Sequence, residues 1–88
     1  MTSQSVRVVN QLGMHARAAA KFVHLATRYE ARVRVARDAR EMDGKSIMGM
    51  MMLAAGPGSK LHVHAKGQDA HQAVHELEAL MRRKFDED

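Results

Sequence analysis

His15 stands two residues before Arg17 in the stretch Asn10-Gln-Leu-Gly-Met-His-Ala-Arg-Ala-Ala-Ala20, where the residue pattern turns helical. The first turn of a helix leaves backbone N–H groups without intrahelical acceptors. Together with the helix dipole these groups draw anions, phosphate above all. Here the amides of Ala16, Arg17 and Ala18 would form that cradle. The same positive end disfavours imidazolium, and the neutral ring is the nucleophilic form. Arg17 presents a planar fork of donors that matches phosphate oxygens. Gly13 lets the backbone turn tightly and leaves the ring accessible. The chemistry such a segment suits is acceptance of a phosphoryl group on a ring nitrogen. A histidine at a helix start also occurs as a plain N-cap, and this segment taken alone does not separate the two.

A second candidate is Ser46, in Gly44-Lys45-Ser46 ahead of the apolar run that starts at Ile47. Its type and place suit an N-cap. The short helix that follows is rich in methionine, an adaptable side chain common where several partners are met. By spacing, Ile47, Met50 and Met51 share one side and Met48 and Met52 another, so one side packs on the body of the protein and the other faces out. Two histidine pairs, His62 with His64 and His71 with His75, have spacings that suit a metal. No Asp or Glu stands at a spacing that completes either site, so no metal and no cofactor is expected.

The elements that must position these residues follow from periodicity. Val6 and Val8 alternate with Arg7 in a strand over 5–9, and Asn10–Gly13 reads as a turn. A helix runs from Ala16 to about Tyr29: Ala19, Phe22, Val23 and Ala26 make its apolar stripe, and Arg17, Lys21, His24 and Arg28 a basic face. Strict alternation predicts a strand over Arg32–Arg37. A tight connection at Asp38-Ala39, without the usual glycine, leads to a short strand over Arg40–Asp43. The methionine helix covers Ile47–Leu53, and Gly56-Pro57-Gly58 is a loop. A strand over Lys60–Ala65 turns Leu61, Val63 and Ala65 one way and His62 and His64 the other. Asp69 and Gln72 form a capping pair for a last helix whose apolar positions are Ala70, Ala73, Val74, Leu77, Leu80 and Met81. Asp86-Glu87-Asp88 reads as a frayed end. The order β-α-β-β-α-β-α makes an α+β, two-layer open-faced sandwich, with a four-stranded antiparallel sheet covered on one face by three helices.

The segment around His15 closely resembles the active-centre segment of the HPr family, the histidine phosphocarriers of the bacterial phosphoenolpyruvate-dependent phosphotransferase system. Lys45-Ser-Ile-Met-Gly-Met-Met-Met-Leu-Ala is similar to the family's regulatory serine motif, at the family's separation from the first. Length and element order match over essentially the whole chain, 1–88, as one domain. The resemblance implies that His15 takes a phosphoryl group on its δ1 nitrogen from phosphorylated enzyme I, with Arg17 assisting, and passes it to a histidine of an enzyme IIA domain. It implies that Ser46 is a target of an ATP-dependent HPr kinase/phosphorylase in those bacteria that have one. It further implies a common docking surface made by the first two helices, here Lys21, His24, Ile47, Met48, Met51 and Met52. The protein is then a stoichiometric carrier, not an enzyme. The sequence departs from many members at Ala18, where they have proline, and at Leu12, where they have a small polar residue. Alanine is the best helix former, so the first change is tolerated. The second removes a hydrogen-bonding group near the imidazole. HPr-like carriers of the nitrogen-related branch share the same chemistry.

Bulk properties bound the alternatives. At 88 residues with 45% hydrophobic content the chain suits one small folded domain. It contains no cysteine, which removes disulfides and thiolate metal sites. The N-terminus lacks the pattern of a signal peptide and no apolar run is long enough to span a bilayer, so a cytoplasmic monomer is expected. A net charge of +4 points to anionic partners. Acidic protein surfaces fit that charge. A small nucleic-acid-binding module also fits it, through Arg32, Arg34, Arg37 and Arg40. With aromatics at 3%, however, there is no stacking platform for bases.

Overall fold

The structure is a computed structural model that describes residues 1–53 and 56–86. Its elements are β1 (Thr2–Arg7), α1 (Ala16–Ala26), β2 (Arg32–Arg37), β3 (Arg40–Asp43), α2 (Ile47–Met52), β4 (Lys60–Lys66), α3 (Ala70–Arg82) and a terminal turn at Lys84–Asp86. The strands form one antiparallel sheet in the order β1-β4-β2-β3. Register sets Val6 against Leu61 and Val33 against Ala65. Because side chains alternate along a strand, this places Val6, Leu61, Val63, Ala65, Val33 and Val35 on one face, where they are buried with the stripes of α1 and α3 in one core. The opposite face carries hydrogen-bonded polar pairs, Ser5 Oγ with His62 Nδ1 and Ser3 Oγ with His64 Nδ1, both at 2.8 Å. The expected open-faced sandwich is therefore the architecture.

Several boundaries differ from the periodicity, each for a local reason. β1 begins at Thr2, because the polar residues Thr2 to Gln4 extend the ladder with β4. It ends at Arg7, beyond which Val8 exchanges backbone bonds with Ser59 and Gly58. α1 stops at Ala26, where the chain tightens into i→i+3 bonds, Arg28 N–H to Leu25 and Tyr29 N–H to Ala26. In the β2–β3 turn Asp38 supplies the positive φ, 53°, that glycine would usually provide. Asp69 stands at the N-cap of α3 but makes no side-chain cap. Its carboxylate accepts instead from the backbone N–H groups of Glu30 (2.9 Å) and Ala31 (2.8 Å). Gly67, at φ 147°, permits the close approach: a Cβ there would come within 2.8 Å of Ala31 Cα. These bonds hold the Asp69 carboxyl below its usual range, the Glu30 amide being the largest cause.

Of the three residues expected to fray, Asp86 instead belongs to a terminal turn. Lys84, Phe85 and Asp86 form a turn with φ of 59°, 56° and 60°, the left-handed region, although none is glycine. The Phe85 ring is wholly buried in the core. Ala54, Ala55, Glu87 and Asp88 lie outside the described residues, so the ends of the expected apolar run and charged tail fall there.

Candidate functional site

His15 is positioned by a turn that the sequence fixes twice. The Asn10 side chain is buried and its Nδ2 donates to the Gly13 carbonyl at 2.7 Å, while Gly13 N–H returns a bond to the Asn10 carbonyl at 3.2 Å. Gly13 takes φ 68°, a conformation costly for other residues. Met14 is buried and pins the next position. His15 then occupies the N-cap of α1, in extended conformation, and its carbonyl accepts the first helical bond from Ala19 N–H at 2.8 Å. Its side chain makes no cap hydrogen bond, and the first turn holds no acidic residue. The plain N-cap role is thus not the one the ring fills.

His15 and Arg17 line one open depression of about 500 Å³ at this end of α1. Asn10, Gln11 and the exposed Leu12 form one wall, with Lys21 farther along the helix. Lys84 and Asp86 of the terminal turn line the depression as well. Three cations, Arg17, Lys21 and Lys84, thus share this hollow with one carboxylate, and that carboxylate is engaged by Arg83 at 3.1 Å. The result is a site with an excess of positive charge around the His15 ring. Of the three cradle residues, Ala16 and Arg17 are exposed, whereas the Ala18 methyl is buried in the core. Any part Ala18 plays is through its backbone.

Lys21 is less free than a surface cation. Its ammonium donates to the Phe85 carbonyl at 2.6 Å, which ties the terminal turn to α1. Periodicity misses this turn, although a signal exists: Leu77, Met81 and Phe85 are spaced four apart, so an apolar stripe continues past the end of α3. Asn10 is likewise read only as a turn residue, although its buried amide sets the approach to His15.

Ser46 is the N-cap of α2 and its Oγ accepts from Gly49 N–H at 3.0 Å, as its type and place predict. The helix is held from both ends and from below. Arg37 and Arg40 donate to the Leu53 and Met52 carbonyls at 2.9 and 3.0 Å, and Met50 and Leu53 are fully buried. Only Met50 of the expected inward side packs away; Ile47 and Met51 are exposed with Met48 and Met52, and these four line one shallow apolar surface. A six-residue helix makes fewer than two turns, so the burial load falls on the single side chain aimed at the core and on the cap residue Leu53. His24 is exposed near the far end of α1. The arginines of the nucleic-acid reading are mostly engaged: Arg37 and Arg40 close α2, and Arg34 pairs with Glu41 at 3.0 Å. Among the described residues no three His, Cys, Asp or Glu groups come together as a metal site, and no helix is long and apolar enough to cross a membrane.

Comparison with known proteins agrees with this geometry. A family model described as the PTS HPr component phosphorylation site matches residues 2–83. The chain is 49% identical over 88 residues to a phosphocarrier protein HPr of Pseudomonas aeruginosa, covering 99% of this chain and 98% of that one. It superposes on the crystal structure of HPr-C-His from Thermoanaerobacter tengcongensis with a TM-score of 0.96 at 34% identity, over 100% and 99% of the two chains. It also superposes on an HPr dimer from the same organism, with a TM-score of 0.79 at 34% identity, over 99% and 100%.

Proposed function

The chain belongs to the HPr family of phosphocarriers, and from that premise we propose that His15 takes a phosphoryl group from phospho-enzyme I and passes it to enzyme IIA domains. The observation that carries the reading is the meeting of His15 and Arg17 in one open, positively charged depression at the start of α1. In the forward step the Nδ1 lone pair of neutral His15 attacks phosphorus as the donor N–P bond breaks. The donor ring, protonated on its other nitrogen, leaves as neutral imidazole, while His15 keeps the proton on Nε2 and becomes the phosphoimidazolium. One proton's charge thus passes with the phosphoryl group, and none need be removed from a hydroxyl. The phosphoryl oxygens are met by the Arg17 fork and by the first-turn amides of Ala16, Arg17 and Ala18. Residues 1–88 act as one carrier domain without a cofactor, working in the cytoplasm as a monomer. It is a carrier consumed and regenerated in each cycle, not a catalyst, with the partner proteins supplying the rest of the transfer site.

Docking uses the exposed apolar surface of α2, Ile47, Met48, Met51 and Met52, flanked by Lys21 and His24. A basic rim with an adaptable centre suits brief, charge-steered contact with acidic partners. Ser46 is a regulatory phosphorylation site for a kinase/phosphorylase of the family type. Phosphate there keeps the cap role that Ser46 Oγ fills but sets negative charge beside the docking surface, which slows transfer at His15. Incubation with phosphoenolpyruvate and enzyme I tests the central claim. It should give one acid-labile phosphoryl group per chain, absent in His15→Ala; equal labelling of that variant refutes it. Light scattering on the eluted peak tests the monomer, which a dimer mass overturns.

A further inference from the structure

The chain holds eight methionines and no cysteine, so every sulfur open to two-electron oxidation is a thioether. Burial separates most of them. Met14, Met50 and Met81 are no more than 5% exposed and Met42 is half-buried, whereas Met1 at the first position is exposed and Met48, Met51 and Met52 are 73%, 45% and 55% exposed on a single six-residue helix. With Ile47 these three line the apolar surface of α2. No methionine lines the His15 depression.

We propose that Met48, Met51 and Met52 form an oxidant-responsive site, in which peroxide or hypochlorous acid disconnects the carrier from its protein partners without touching His15. The Sδ lone pair attacks one oxygen of the peroxide; with hypochlorous acid it attacks chlorine with loss of hydroxide, and water then displaces chloride from the chlorosulfonium to give the same sulfoxide. With peroxide the O–O bond breaks as the S–O bond forms, sulfur loses two electrons and the peroxide is reduced to water. Each event turns a flexible apolar end into a polar, chiral sulfoxide. Three such changes on one shallow surface remove its apolar character.

The fold is insulated from the reaction. Met50 and Leu53 seat α2, Ser46 caps it, and Arg37 and Arg40 close it, so no oxidisable exposed sulfur holds the helix in place. The inference rests on the reading of α2 as a docking element, and the test separates the two.

The protein is treated with limiting hydrogen peroxide, and oxygen incorporation is assigned residue by residue by fragmentation mass spectrometry. Oxygen is expected at 48, 51 and 52 before 14, 50 and 81, with the far-ultraviolet circular dichroism spectrum unchanged. Transfer from phosphorylated enzyme I at sub-saturating carrier should fall about tenfold or more, and methionine sulfoxide reductase with a dithiol should restore it. Phosphorylation of His15 by phosphoramidate, which needs no docking, should be unaffected. In Met48→Leu/Met51→Leu/Met52→Leu the rate, whatever its level, should not change on peroxide treatment. Equal sensitivity of that variant, or an undiminished rate in the oxidised protein, overturns the inference. If Met48→Glu/Met52→Glu still slows transfer in the second case, the docking reading stands and only the oxidative switch is lost; if it does not, both fall.

Discussion

Replacing Phe85 by alanine tests whether the terminal turn is built structure. The ring is fully buried, and it holds three consecutive residues at φ of 56–60°. A left-handed conformation costs an L-residue about 1–2 kcal/mol, so this turn stores roughly 3–6 kcal/mol that other contacts must offset. The ring's burial is one of them, and the Lys21 ammonium on the Phe85 carbonyl is another. Phe→Ala at buried sites costs about 3–5 kcal/mol. Alanine keeps the left-handed cost while losing the ring, which puts the expected loss in the upper half of that range, about 4–5 kcal/mol. If the turn unwinds and releases its strain, the loss falls toward about 3 kcal/mol. Either value is a large share of the 5–15 kcal/mol typical of whole domains. Equilibrium urea unfolding followed by circular dichroism reads it directly, through the midpoint at unchanged slope. Lys84→Gly is the internal control. Relief of about 1–2 kcal/mol of left-handed cost, less about 0.5–1 kcal/mol for the freer unfolded chain, leaves a gain of about 0–1.5 kcal/mol. A loss under about 1 kcal/mol in Phe85→Ala, or a loss above that in Lys84→Gly, refutes the reasoning.

Other expectations follow from single contacts. Ser46→Ala removes the side-chain N-cap of α2 and should cost about 0.5–2 kcal/mol in the same urea assay. Asp69 has a folded-state pKa below its ordinary 3.8, so its contribution is present above that value and lost as pH falls through the lower folded one. Thermal melts from neutral pH down through this acid window should therefore decline in the native protein, and Asp69→Ala should be less stable at neutral pH and decline less. Arg17→Ala removes charge-assisted bonds worth about 1.5–3 kcal/mol, an expected tenfold to hundredfold slowing of phosphoryl transfer, with Arg17→Lys recovering only part of it. The transfer rate should fall as salt rises, and fall further in Lys21→Glu. Lys21→Met separates charge reversal from loss of the Phe85 anchor, because it should lower stability by breaking the same bond without introducing a negative charge.

Elements with clean periods were legible in the sequence. Val33 and Val35, Leu61 through Ala65, and the stripes of α1 and α3 all fall where alternation or helical spacing puts them. The positions of His15 and Ser46 at the starts of α1 and α2 were legible too, because helix starts are marked locally. What escaped is tertiary. Asp69 has the type and place of a helix cap, yet two backbone amides nearly forty residues earlier take its carboxylate. Ile47 and Met51 are apolar and still lie outside, because a helix of six residues can seat only one of its side chains. The terminal turn has no glycine or asparagine to announce its left-handed backbone. Its one clue is a phenylalanine among charges.

The sheet order also bears on how this protein is made. β1 leaves the ribosome first, but its one strand partner is β4, which comes after two helices and the other two strands. β4 is also the only link between β1 and the β2–β3 hairpin. Closing so long a loop is entropically slow, and no shorter pairing substitutes for it. During synthesis the hairpin can form early, while Val6, Val33 and Val35 wait for Leu61, Val63 and Ala65. A nascent or clipped chain that stops before residue 60 carries His15 on a segment with neither a finished core beneath it nor the lining that Lys84 and Asp86 complete. Completion of β4 thus links the order of synthesis to the presentation of His15: the segment that carries the ring is made early, and the sheet and terminal turn that support it are made late.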